Sequence, residues 1–407
     1  MVDFVTIPAS NHQTITLGFD SQTNFVLAEQ IAKLIGAGVT AGTIVTEFDT
    51  SGTPTLPAGV TGAVVQTEAP LVTLPPGYTI DLVTKPGPAV VLDPAASGQI
   101  ILSNVNTDLT FLGSGSGTVI AGGGDNRLSV DGSGSWSLYT GSGNDIILAV
   151  GAVNATIGAG AGDNAIVLGS GTDLITSTGN DSISGGTGAE TVDASGASSD
   201  FVQANASKLL FIGGAGGTTI LGGTGSDTYF GSAGSTGKQL ITGGSAGNNF
   251  LFAGDGAATL VGGGNNDQLF AYGSSAQLLI AGSGNETLSA ALSAGSDTVQ
   301  AGSGNDQLIG GAGADTFIGG SGNATVTPGF GGQVFAFINH AAGGTELVQG
   351  IFDPSSIQID LQGYGPNAIA NALASQTVTN GSISITLTDG TKVTFQDVTS
   401  LNRSNFT

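Results

Sequence analysis

Leu292–Gln300 (LSAGSDTVQ) opens a run of four nine-residue units that continues through Ala301–Ile309 (AGSGNDQLI), Gly310–Ile318 (GGAGADTFI) and Gly319–Thr327 (GGSGNATVT). The shared register is G-G-x-G-x-D-x-U-x, with U apolar. Six residues of each unit read as a tight turn whose backbone needs Gly at strained angles; the last three read as a short strand with U pointing inward. Strands this short are marginal as hairpins, but at a fixed interval they stack, each coil covering the next, and this predicts a parallel β-solenoid or β-roll. The Asp at the sixth place, with turn carbonyls, supplies the oxygen ligands that hard divalent cations take. Two units make one coil, so turns on one side recur every second unit. That pairs Asp297 with Asp315, and Asp306 with the sixth place of the fourth unit, where Ala324 weakens the site.

Outward from this run the same register recurs more loosely. It places Asp173, Asp181 and Glu190 in an earlier array, Asp145, Asp227 and Asp267 as isolated matches, and Glu286 in Ala281–Ser289. With Asp297, Asp306 and Asp315 these are the candidate ligands of a hard divalent cation. Other turns lack the acid: Asn126 and Asn164 stand at its place, and Gly244–Asn249 has none. Coils between Thr224 and Gly264 are spaced nearer twenty residues than eighteen. The expectation is therefore a few bound cations rather than one per turn, with Asn and Ser hydrogen bonds closing the remaining coils.

Composition agrees. The 407 residues include 71 Gly, no Cys, 7 Lys+Arg and 30 Asp+Glu, for a formal net charge of -23. Few basic residues argue against nucleic acid and anionic membranes as partners. The acidic excess at a fixed spacing favours a cation. No cysteine means no disulfide staple. No stretch is long and apolar enough to span a bilayer, and Met1–Pro8 has no leader pattern.

Three regions are expected. Residues 1–99 read as a small mixed head domain. One helix over Thr23–Gly36 has Leu27, Ile31, Leu34 and Ile35 on one face, capping oxygens in Asp20–Asn24 and a stop at Gly36. Short strands follow at Gly42–Phe48, Gly62–Gln66, Tyr78–Thr84 and Ala89–Leu92. Residues 100–330 are the Gly-rich solenoid. Residues 331–407 read as a β-rich cap hiding the last coil: strands at Gln333–Ile338 and Ser356–Leu361, a short helix over Pro366–Ala374, and a hairpin from Ser382–Leu387 to Lys392–Phe395 turning on Asp389-Gly390. The fold class is all-β.

The repeat units resemble the RTX family, the calcium-binding nonapeptide repeats of proteins exported by bacterial type I secretion, closely over 292–327 and loosely over 120–330. The tail is similar to the ends of many such proteins, in Phe352-Asp353-Pro354, Leu361–Gly365 and Leu387–Phe395. The resemblance implies bound Ca²⁺, an uncleaved export signal at the carboxyl end, a type I ABC transporter as partner, and a secreted or surface location on a Gram-negative bacterium.

No catalytic constellation emerges. The two histidines, His12 and His340, form no zinc peptidase motif. Gly243-Gly244-Ser245-Ala246-Gly247 matches the hydrolase elbow G-x-S-x-G, but it falls in a repeat turn, and such a match is expected by chance in so Gly-rich a chain. No Gly-Lys-Ser/Thr completes a phosphate loop. Trp136 and Tyr139 are the one aromatic pair near the repeats' acids and read as packing. The leading functional reading is a calcium-dependent structural surface protein, homo-oligomeric or polymeric, forming a fibre, sheet or biofilm matrix. The alternative is a secreted adhesin or glycan-binding protein with a solenoid stalk.

Overall fold

The computed structural model describes residues 1–48, 56–66, 74, 77–84, 87–90, 97–103, 106–206, 208–351 and 353–407. It is all-β, with two α-helices among the described residues and a parallel β-solenoid of about 14 turns. The chain divides into two compact units, Met1–Val202 and Gln203–Thr407.

The first unit begins with an antiparallel hairpin, Asp3–Pro8 against Thr14–Phe19. The helix that follows runs from Gln22 to Ala41, longer than the sequence suggested, and ends at Gly42 rather than Gly36. Gly42 takes the left-handed conformation, φ 69°, which suits a residue without Cβ. Gly36 and Gly38 instead allow close packing: a Cβ on Gly36 would lie 3.1 Å from Pro8 Cγ, and one on Gly38 2.6 Å from Ile44 Cδ1. The buried face is Asn24, Ala28, Ala32 and Ile35, and Leu34 is exposed. Asn24 turns inward because its amide donates to the Ala121 and Thr140 carbonyls at 3.2 and 2.8 Å, satisfying a buried polar group. Hairpin and helix share one apolar core with the first coils, through Ile7, Leu17, Phe19, Ile35, Leu82 and Leu102.

Parallel pairing starts well upstream of residue 100. Ile44–Phe48 pairs with Thr61–Gln66, that strand with Tyr78–Val83, and Tyr78–Val83 with Gln99–Ser103. The change in sequence texture near residue 100 thus does not coincide with a change in strand pairing. A strand occupies Gly87–Val90; Val91 and Leu92, expected to extend it, lie outside the described residues, as does Phe352.

In the second unit two parallel sheets face each other. One carries Gln268–Gly273, Thr287–Ser293, Asn305–Ile309, Asn323–Thr327 and Thr345–Val348; the other carries Leu278–Ile280, Thr298–Gln300, Thr316–Ile318 and Val334–Ile338. The eighth places of the four units, Val299, Leu308, Phe317 and Val326, are buried between the sheets, as the alternation of strand side chains requires. Rings continue the stack inside, with Phe317 and Phe335 centroids 5.7 Å apart. At the far end Lys392–Phe395 lies parallel to Thr345–Val348 and antiparallel to Ser382–Thr386, and a short helix spans Ala368–Ala374.

The glycines of the 292–327 run are not at strained angles, contrary to the sequence reading. None of them has φ in the left-handed region. They are glycines because coils touch there. A Cβ on Gly313 would collide with the Gly295 carbonyl oxygen, and one on Gly322 with that of Gly304.

Candidate metal centres

Each coil brings its sixth-place residue to the strand edge, side chain turned inward. All ten acids singled out by the repeat register are buried: Asp145, Asp173, Asp181, Glu190, Asp227, Asp267, Glu286, Asp297, Asp306 and Asp315. Burying a carboxylate without a partner charge costs several kcal/mol, so the arrangement calls for compensation.

Part of it comes from the neighbouring coil. In the first unit the Asn126 N–H donates to Asp145 Oδ1 (2.7 Å), Asp145 N–H to Asn164 Oδ1 (2.9 Å), and Asn164 N–H to Asp181 Oδ1 (3.1 Å). On the other side of these coils the Ala155 N–H donates to Asp173 Oδ1 at 2.7 Å, and Asp173 stands in register with Glu190. In the second unit Asp227 N–H donates to Asn249 Oδ1 (2.7 Å), Asn249 N–H to Asp267 Oδ1 (2.8 Å), and Glu286 N–H to Asp306 Oδ1 (3.0 Å). The facing column runs from Gln277 N–H to Asp297 Oδ1 (2.8 Å), from Asp297 N–H to Asp315 Oδ1 (3.0 Å), and ends with Asp315 N–H on Gln333 Oε1 (3.2 Å). The Asp297–Asp315 pairing and the juxtaposition of Asp306 with Ala324 are as the two-unit coil predicts. Separation along the chain varies from 17 residues for Asn164–Asp181 to 22 for Asp227–Asn249, yet the columns stay aligned because turns, not strands, absorb the extra residues.

Asn126, Asn164 and Asn249 occupy the same columns. Their amides donate to the next carboxylate, and Asn126 and Asn249 also donate to their own turn carbonyls, so these coils close with hydrogen bonds at the place of the acid.

The second carboxylate oxygens divide the acids. Asp267, Asp306 and Asp315 each accept from their own turn, at 2.8 Å from Gly263 N–H, 2.8 Å from Gly302 N–H and 2.7 Å from Gly311 N–H. By contrast, Oδ2 of Asp145, Asp173, Asp181, Asp227 and Asp297 and both oxygens of Glu286 are buried with no hydrogen-bond partner. Burial accordingly raises the Asp173 and Asp227 carboxyls to about 6. Glu286 is pushed up further, first by burial and then by Asp306 and Asp267 on either side of it in the column. Orphaned, desolvated anionic oxygens fit a hard cation. Among the described residues no three acidic or imidazole side chains converge, so any ion held here draws the rest of its oxygen shell from backbone carbonyls.

Three buried acids escaped the sequence reading, Asp81 in Tyr78–Val83 and two that stand in these columns. Asp200, buried, carries Asp181 N–H on its Oδ1 at 3.3 Å. The turn before it, Ala194–Ser199, lacks the glycine pair, and only its 19-residue offset from Asp181 could have revealed it. Glu346 continues the Asp306–Ala324 column beyond the last unit.

The catalytic look-alikes are turn residues. Gly243–Gly247 links Gln239–Thr242 to Phe250–Phe252, His12 and His340 sit in turns with φ 65° and 67°, and Trp136 is a core residue whose indole N–H donates to the Gly115 carbonyl at 2.9 Å. No helix among the described residues is long and apolar enough to cross a membrane.

No curated protein matches the chain. Residues 174–198, 210–235, 243–273 and 293–326 each match the model of the RTX calcium-binding nonapeptide repeat, so these four segments belong to that calcium-binding repeat family.

Proposed function

We propose that this is a secreted structural protein of a bacterial cell surface whose coils are locked by Ca²⁺ and which assembles with copies of itself. The observation that carries the reading is the pair of columns of buried carboxylates with orphaned oxygens. Asp145, Asp173, Asp181, Asp227, Glu286 and Asp297 would hold the ions, with Glu190, Asp267, Asp306 and Asp315 lining the same columns and turn carbonyls completing each shell. The cation supplies the positive charge that lets these side chains remain ionised out of water.

Calcium-linked folding suits a chain that crosses its exporter unfolded. Inside a cell calcium is scarce and the acidic, Gly-rich repeats stay soft; outside, binding drives folding. A type I ABC transporter would be the exporter, and the Gram-negative cell surface the destination. Assembly is supported by apolar side chains on the outer strand faces, Ile146 and Leu174 in the first unit and Phe230, Leu240 and Leu292 in the second. The shared core of hairpin, helix and first coils favours an end-capping duty for the amino-terminal region over a free-standing adhesive head.

Negative-stain microscopy in calcium and in chelator, with thermal melts in both, tests the proposal. Ordered filaments or sheets and a higher melting temperature in calcium are expected. Monodisperse monomers at high concentration in calcium would remove the assembly claim, and identical melting curves would remove the calcium claim.

A further inference from the structure

The column that runs through Asp267, Glu286 and Asp306 meets a gap at Ala324, the one sixth place in the four-unit run without an acid. The fourth turn, Gly319–Asn323, nevertheless has the form of the others. At the third turn a Cβ on Gly310 would lie 3.0 Å from Asp315 Oδ2, and the Gly311 N–H donates to that oxygen at 2.7 Å. At the turn before Asp267 the corresponding glycines are Gly262, 3.1 Å from Asp267 Oδ2, and Gly263, donating to it at 2.8 Å.

At the fourth turn the carboxylate facing the first glycine comes from a residue of the following coil. A Cβ on Gly319 would lie 2.8 Å from Glu346 Oε1. Glu346 stands directly beside Ala324 in the ladder, and its coil is seated by the Thr345 N–H donating to Asn323 Oδ1 at 3.2 Å. The methyl group of Ala324 leaves room, and the extra methylene of Glu over Asp lets the carboxylate reach back under the turn. Glu346 is 3 % exposed, and its Oε1 has no hydrogen-bond partner. Burial raises its carboxyl to about 7, with Asp306, on the far side of Ala324, adding to the rise.

We propose that the fourth turn is a calcium site whose carboxylate is supplied by Glu346 from the next coil in place of the acid missing at Ala324. The proposal rests on the calcium reading of the repeats and extends it to a residue beyond the four-unit run. Its consequence is that one ion ties the carboxyl-terminal region to the last nonapeptide, so the region beyond the repeats responds to calcium as well.

The test is calcium stoichiometry by native mass spectrometry and calorimetric titration on the full chain, for the unsubstituted protein, Glu346→Gln, and Ala324→Asp combined with Glu346→Gln. Glu346→Gln is expected to bind one ion fewer and to gain less in melting temperature on adding calcium, while melting no lower than the unsubstituted protein in chelator. The double variant, with an acid restored at the sixth place, is expected to regain the lost ion. An unchanged ion count in Glu346→Gln overturns the proposal and leaves the calcium reading standing. An unsubstituted protein that binds no calcium overturns both. If Glu346→Gln does not fold, the double variant decides: recovery of the full count supports the site, and a count one short overturns it.

Discussion

Asp173 has one carboxylate oxygen held by the Ala155 N–H and the other by nothing. Its neighbours in kind show what would relieve it. Where Asn stands in a column, the amide keeps the acceptor and spends its own hydrogens on turn carbonyls, as Asn126 does toward Gly122 and Gly124 at 3.1 and 2.9 Å. Asp173→Asn is therefore expected to stabilise the metal-free protein, by on the order of 1–3 kcal/mol, because an unpaired buried anion is replaced by a group that can be satisfied. In saturating calcium the same substitution removes a ligand, and the advantage should vanish or reverse. Melting curves in chelator and in calcium check this. A variant that melts lower than the unsubstituted protein in chelator contradicts the account.

At the scale of the turn and strand, glycine does its work through contact between coils. Gly313→Ala drives a methyl group into the Gly295 carbonyl and is expected to cost ~1–3 kcal/mol or more, as overpacking does. Gly332→Ala is the control, since a Cβ there meets nothing within 4 Å, and its effect on the melting temperature should be near zero or slightly positive. Equal losses in the two variants would show that chain entropy, not coil contact, sets the cost.

What could be read from residues follows the same division. The four-unit run disclosed its register, coil length and inward residues, because period and apolar place coincide there. The helix was visible but its end was not: Gly36 and Gly38 look like stops, and only the packing of Pro8 and Ile44 against them explains why the helix passes through. Glu346 was overlooked although Ala341–Gln349 (AAGGTELVQ) keeps Gly at the fourth place, an acid at the sixth and an apolar residue at the eighth, because the unit lacks the opening glycine pair and follows a break in the run; its role also depends on a neighbour 22 residues earlier being Ala.

For the molecule as a whole, the buried acids set the response to pH. In the metal-free protein Asp173, Asp200 and Asp227 are raised to about 6, and Asp81 and Glu346 to about 7, in each case chiefly by burial, against ordinary values near 4. Between those limits the folded chain holds more protons than the unfolded chain, so stability is fullest near pH 4 and falls as pH rises through about 7. Each tenfold displacement of a proton equilibrium is worth ~1.4 kcal/mol, and self-repulsion of a chain of formal charge -23 acts in the same direction. Calcium should flatten or invert this slope, because it binds the deprotonated form. Melting temperature against pH, in chelator and in calcium, reads the difference; a chelated protein that becomes more stable from pH 5 to 7 contradicts it.

The side-chain bonds of the sixth-place columns also have an arrow. Within each column it is the amide hydrogen of the earlier coil that reaches the acceptor side chain of the later one, as from Asp297 to Asp315 and from Asp315 to Gln333. The fifth-place asparagines point the other way, with the Asn305 N–H on Asn285 Oδ1 and the Thr345 N–H on Asn323 Oδ1, so each coil is clasped from both sides by side chains of its neighbours. One of the two unit-two rows ends on the uncharged Gln333, a tooth that closes without asking for an ion.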